Sequence, residues 1–136
     1  MKPIVTLIDE ATTDPRIRAV FDDIKSTRKI TFIPAIWRAL ATNPTHLELS
    51  WTRVKAIMQP GKLDLITKEM IAVAVSMTNM CGYCINSHTA AAQKLGMDDE
   101  MLGEMIAVIG LYNEMNKLAV GFQLEPDVLP LAARQG

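Results

Sequence analysis

The stretch Glu69-Met70-Ile71-Ala72-Val73-Ala74-Val75-Ser76-Met77-Thr78-Asn79-Met80-Cys81-Gly82-Tyr83-Cys84-Ile85-Asn86-Ser87-His88 decides how the chain is read. Its first half, from Met70 to Met77, has no charge and none of the two-residue alternation of a half-buried strand. A helix without charge is expected to be buried on nearly every side, so this is read as the central helix, capped at Thr67. Its second half holds the chain's only two cysteines, two residues apart. A further helix is expected to begin near Cys81 or Gly82 and to run through Ala90, Ala91, Ala92 and Leu95 to Gly96, whose freedom at positive φ suits a helix end.

Outward from this stretch the apolar positions recur at three and four throughout, which predicts an all-α fold. Asp14-Pro15 supplies an N-cap and a first-turn proline for a helix to about Lys29, with Ile17, Val20, Phe21 and Ile24 on one face. Pro34 opens a second helix with Ile36, Trp37 and Leu40 on one side. Asn43-Pro44 breaks it before a third, from about Thr45 to Met58, which Pro60-Gly61 ends. Trp37 and Trp51 fall at core spacing, and His46 is expected at the surface. Asp98 caps a last stretch, Met101 to about Phe122, in which Gly103, Gly110 and the Asn113 to Asn116 region are expected to bend or split the helix. The tail after Pro126 reads as irregular. The result is one helical bundle of about six helices, a single domain over 1–136 with its core at roughly 14–122.

Composition narrows the function. Hydrophobic residues are 49% and charged residues 21%, an ordinary globular balance, and the 9 methionines suggest helices packed through flexible side chains. Lys+Arg 14 against Asp+Glu 15 leaves a net charge of -1, so no global field draws nucleic acid or anionic lipid. The beginning of the chain has no signal-like apolar segment, and no stretch approaches about 18 uncharged apolar residues. A cytoplasmic location without membrane attachment is the expectation. There a C-x-x-C pair is expected to act rather than to brace, because a disulfide closing so short a loop stabilises little.

The chemistry follows from spacing. A cysteine in the first turn of a helix lies among unpaired N–H groups at the positive end of the dipole, which favours thiolate over thiol. Cys84 and His88 are four apart on one helix, so the imidazole is within reach of the thiol proton. Glu69, in the first turn of the preceding helix, faces His88 if the two helices pack antiparallel, and there it would orient the ring and hold its proton. Taken singly, Glu69 reads as an acid complementing a helix dipole and His88 as an ordinary helix histidine; the constellation is stronger than its members. Tyr83, between the cysteines, either donates a hydrogen bond into the site or packs its ring, and packing is the simpler reading. Zinc is the rival use of Cys81, Cys84, His88 and Glu69, but structural zinc sites draw a second Cys or His pair and only His46 remains. The redox reading needs fewer coincidences, and it assigns neither metal ligands nor cofactor-binding residues.

The pattern E-x(11)-C-x-x-C-x(3)-H formed by Glu69, Cys81, Cys84 and His88 resembles the AhpD-like alkylhydroperoxidases of the carboxymuconolactone decarboxylase superfamily. The flanks agree, with Ile33-Pro34-Ala35-Ile36-Trp37-Arg38-Ala39-Leu40, Asn43-Pro44 and Gly61-Lys62-Leu63-Asp64 before the motif and Ala90-Ala91-Ala92-Gln93-Lys94-Leu95-Gly96 after it. The resemblance covers roughly residues 14–122. It implies an all-helical homo-oligomer, a trimer or hexamer, and a thiol-dependent peroxidase in which Cys84 is attacked by a hydroperoxide and Cys81 resolves it. Glu69 and His88 then relay the proton, and a lipoyl group or thioredoxin-like protein, not a bound cofactor, donates the electrons. One departure is Tyr83, where the best-studied members carry a second histidine, which implies a shorter relay. The rival functions are decarboxylase-like chemistry on a small acid, using Glu69 and His88 alone, and a non-catalytic redox sensor.

Overall fold

A computed structural model describes residues 2–131. Those residues form six helices and no strand: α1 (Pro15–Arg28), α2 (Ala35–Leu40), α3 (Pro44–Ile57), α4 (Leu65–Thr78), α5 (Gly82–Lys94) and α6 (Asp99–Gly121). The all-α expectation is met. The chain divides between Gly61 and Lys62 into two compact units.

In the first unit, Asp14 caps α1 by accepting from the N–H groups of Arg16 and Ile17, and Pro15 follows at the first helical position. Ile17, Val20, Phe21 and Ile24 are buried as their spacing requires. They pack with Ile33, Trp37, Ala41, Leu47 and Trp51 into one core. The Trp37 and Trp51 rings meet edge to face at 5.3 Å. Ile36, expected on the same side as Trp37, is instead exposed, because the six-residue α2 buries only Trp37 completely. His46 is exposed, as expected.

Asp23 ties α1 to α3. It accepts from the Trp51 indole N–H at 2.7 Å and from Lys55 Nζ at 2.8 Å. The Lys55 bond first, then the Trp51 bond, holds its carboxyl below the usual aspartate range. A carboxyl with a depressed folded-state pKa contributes stability above its unfolded pKa, about 3.9, and that stability is lost as pH falls further. Tryptophan fluorescence is therefore expected to report loosening of this unit below about pH 4. In Asp23→Ala that acid-side step should shrink, Glu10 and Glu48 of the same unit being held low as well, with stability lowered at neutral pH by about 1–3 kcal/mol because the indole N–H of buried Trp51 loses its partner.

In the second unit, α4 begins earlier than expected. Asp64, not Thr67, is the N-cap: its Oδ1 accepts the Thr67 N–H at 2.9 Å, so Thr67 is the third residue of the helix. Nor is α4 buried on nearly every side. Glu69, Val73 and Ser76 are buried on the face toward α5, whereas Ile71 and Val75 are 49% and 54% exposed. α5 ends on a Schellman turn, with Gly96 at φ 107 and the Met97 N–H bonded to the Ala92 carbonyl, a conformation that favours glycine. Asp98 caps α6 through the Met101 N–H. α6 then runs unbroken for 23 residues, neither split nor interrupted at Gly103 or Gly110, and buries no residue. The chain from 122 is not helical, which agrees with an irregular tail as far as residue 131; the remainder of the tail lies outside the described residues.

Candidate active site

The site lies on the α4–α5 hairpin, and the turn between the helices positions its sulfurs. Asn79 is the C-cap of α4 and Met80 follows in the left-handed region at φ 58. The Met80 N–H bonds the Met77 carbonyl at 3.1 Å and the Cys81 N–H bonds the Ser76 carbonyl at 2.9 Å, the two hydrogen bonds of a Schellman motif. Cys81 closes α4 with its backbone and also serves as N-cap of α5, its Sγ accepting the Cys84 N–H at 3.3 Å. One residue thus joins both helices. Glu69 lies ten residues before Asn79 and His88 seven after Cys81, so the antiparallel hairpin brings them to the same level.

Cys81 and Cys84 are joined as a disulfide, with Cα atoms 5.3 Å apart, inside the ordinary range for such bridges. Cys84 and His88 share a face of α5, one turn apart. Glu69 Oε2 lies 2.7 Å from His88 Nδ1. The Glu69 side chain is 6% exposed and that of His88 28%. Glu69 is the fifth residue of α4, beyond the first turn, so it is not the dipole-complementing surface acid that its position alone suggested. A carboxylate this buried needs a hydrogen-bonded partner, and the imidazole supplies one. With Nδ1–H donating to Glu69, the neutral ring keeps Nε2 as an acceptor.

Tyr83 is about half exposed at the second position of α5. Among the described residues, no three His, Cys, Asp or Glu side chains gather as a metal site. No helix there is long and apolar enough to cross a membrane.

Three features were not legible as part of the site. Ser76 is buried, its hydroxyl donating to the Ala72 carbonyl while its own carbonyl anchors Cys81. Thr89, next to His88, has a buried hydroxyl without a hydrogen-bond partner. Met80 is a non-glycine residue at a left-handed position, a conformation that costs roughly 1–2 kcal/mol, and it is 87% exposed. The only sequence signal for it was the shortness of the Asn79-Met80 connection.

The comparisons with known proteins agree with this geometry. Residues 44–124 match the model of the carboxymuconolactone decarboxylase family. The crystal structure of an alkylhydroperoxidase AhpD core from Rhodospirillum rubrum superposes with a TM-score of 0.88 at 44% identity, covering 92% of this chain and 94% of that one. The alkyl hydroperoxide reductase AhpD of Streptomyces griseus is 30% identical over 68% of this chain and 49% of its own length. An (R)-2-haloacid dehalogenase of Pseudomonas putida is 26% identical over 83% of this chain and 38% of its own length. The chain spans about half, or less, of the curated relatives it matches. With the family model spanning more than half of its length and its helices superposing on an AhpD core, the chain belongs to the carboxymuconolactone decarboxylase family, among its AhpD-like members.

Proposed function

We propose that this protein is a thiol-dependent peroxidase that reduces organic hydroperoxides with the Cys81–Cys84 dithiol. The observation that carries the reading is the pairing of buried Glu69 with His88 one turn beyond Cys84, in a chain whose two cysteines are joined as a disulfide. His88 takes the Cys84 proton, with Glu69 holding the ring. Cys84 thiolate attacks the distal oxygen of the hydroperoxide; the O–O bond breaks, the alkoxide leaves as alcohol with the relayed proton, and Cys84 becomes a sulfenic acid. Cys81 then attacks the Cys84 sulfur, the S–O bond breaks and water departs, leaving the disulfide. A dithiol donor, a lipoyl group or thioredoxin-like protein, returns two electrons and two protons. Tyr83 packs beside the site without a proton-transfer role.

The names of the AhpD relatives support peroxide as substrate, and the dehalogenase relative is the reason to test an alternative. The Glu69–His88 pair is complete without the sulfurs and would suit acid–base chemistry on a small acid. The double variant Cys81→Ser with Cys84→Ser separates the two: the peroxidase reading requires that it consume no hydroperoxide, and undiminished activity would transfer the function to the carboxylate–imidazole pair.

The same reading includes a homo-oligomer, a trimer or hexamer, acting in the cytoplasm. Its support is the amount of apolar surface the second unit leaves open: Ile71 and Val75 on α4, and Val108, Leu111, Tyr112 and Met115 on α6, are all about half exposed. Between the two helices lies an uncharged groove of about 350 Å³ lined by Ala74, Val75, Val108, Ile109 and Tyr112, among others. Light scattering should give a multiple of the 15.0 kDa chain mass, and Val108→Glu should reduce it to the monomer; wild-type protein at the monomer mass contradicts this prediction.

A further inference from the structure

Beyond α6 the chain continues as an apolar arm. The Leu124 N–H closes the helix onto the Ala119 carbonyl; after it, residues 125–131 make no backbone-to-backbone hydrogen bond with any other described residue. Phe122, Leu124, Val128, Leu129 and Leu131 are nonetheless all exposed, Val128 at 83% and Leu131 at 97%. Single exposed apolar residues are ordinary, but five within ten residues form a patch that marks an interaction surface. Pro126 and Pro130 fix their own φ and hold the residues before them extended, so the arm is set for binding as an extended segment and gives up little freedom on docking.

The groove between α4 and α6 has the complementary character. Its floor is apolar, and its remaining lining is Thr78 and Asn79 at the end of α4 with Asn113 and Asn116 on α6. The Asn113 amide already reaches across to the Thr78 hydroxyl at 3.2 Å. Amide and hydroxyl side chains both donate and accept, which is what an extended backbone with unpaired N–H and C=O groups requires as it leaves water.

We infer that the arm, residues 122–131, of one copy lies in the α4–α6 groove of a neighbouring copy, its aliphatic side chains on Ala74, Val75 and Val108 and its backbone held by the Asn and Thr side chains. The occupant is a second copy because Val128 and Leu131 remain exposed in their own chain, and the groove residues Val75 and Val108 are about half exposed there too. Each copy gives one arm and offers one groove, so the contact repeats around a closed ring or is exchanged between two copies. Burying the arm removes from water the apolar surface that a single chain leaves open. The inference needs none of the peroxide chemistry; it rests on the homo-oligomer reading and names what fills the groove.

The test replaces Leu129 in the full-length protein with photoreactive benzoylphenylalanine, irradiates it, and separates the products under reducing, denaturing conditions. The expected product has twice the 15.0 kDa chain mass, with residue 129 of one chain joined to a residue within 74–79 or 108–116 of the other. A second measurement follows association: Val128→Asp with Leu129→Asp is expected to raise the dissociation constant of the oligomer by about tenfold for each buried aliphatic side chain lost. Circular dichroism should be unchanged, since both side chains are exposed in their own chain. A cross-link within a single chain places the arm in its own groove and overturns the inference. So does a cross-link between chains that falls outside the groove, or an oligomer whose association the paired substitution leaves unaltered. In each of these cases wild-type protein at a multiple of the chain mass leaves the homo-oligomer reading standing; wild-type protein at the monomer mass ends both.

Discussion

Cys84→Ser is expected to abolish hydroperoxide consumption, whereas Cys81→Ser should react once and stop. The two cysteines occupy different positions on the hairpin. Cys84 lies on the α5 face it shares with His88, while Cys81 is held at the helix start by its own N–H bond to the Ser76 carbonyl. A serine hydroxyl at 84 has none of the thiolate's reactivity toward peroxide oxygen, so turnover should fall to background. In Cys81→Ser the sulfenic acid on Cys84 has no partner and should accumulate to one per chain, where a dimedone-type probe traps it. Serine is a good N-cap and should keep the Cys84 N–H satisfied, so the fold survives. Labelling at residue 81 of Cys84→Ser, with no trapping in Cys81→Ser, would reverse the assigned order.

Glu69→Gln and His88→Ala are each expected to slow oxidation of the dithiol by about 10² to 10⁴, the usual contribution of a positioned proton-transfer group. The two should not be additive, because Glu69 acts through His88. Gln at 69 keeps the side-chain length and an oxygen to accept from Nδ1, so its effect on rate isolates the loss of negative charge behind the ring. Stopped-flow thiol loss on pre-reduced protein measures this directly. Near-wild-type rates in both variants, with intact folding by circular dichroism, would remove the pair from the mechanism.

Features of the fold that depend on local chemistry were legible in the sequence. Asp14-Pro15 and Asp98 each supply a cap that needs nothing distant, and each caps in the structure; Asn43-Pro44, read as a break, separates α2 from α3, and there Asn43 also caps α3. Asp64 and Thr67 are both capping residue types, and which of them caps α4 depends on whether Leu65 and Ile66 join the first turn; they do, so Asp64 is the cap. The unbroken α6 has a similar origin. Each glycine costs a helix interior only about 1 kcal/mol, and Asn113 directs its amide to the Thr78 hydroxyl rather than to its own backbone.

What the sequence did not reveal is how much of each helix finds a partner. Absence of charge along Met70 to Met77 reports that α4 is apolar, not how much of it is covered: Ile71 and Val75 are about half exposed. The contact between Glu69 and His88 was legible because a short turn forces the register of two helices of known spacing. The left-handed Met80 was not, since that conformation is set by the hydrogen bonds closing α4 rather than by the residue itself.

The central claim is that the Cys81–Cys84 pair cycles during reduction of a hydroperoxide. Its most direct test is a free-thiol titration of reduced protein before and after a small excess of cumene hydroperoxide, followed by addition of dihydrolipoamide while peroxide is monitored. The account predicts loss of two thiols per chain, their recovery with the dithiol, and peroxide consumption continuing well beyond one equivalent. Thiols that stay reduced in the presence of peroxide, or consumption that ends at one equivalent with the dithiol present, would contradict it.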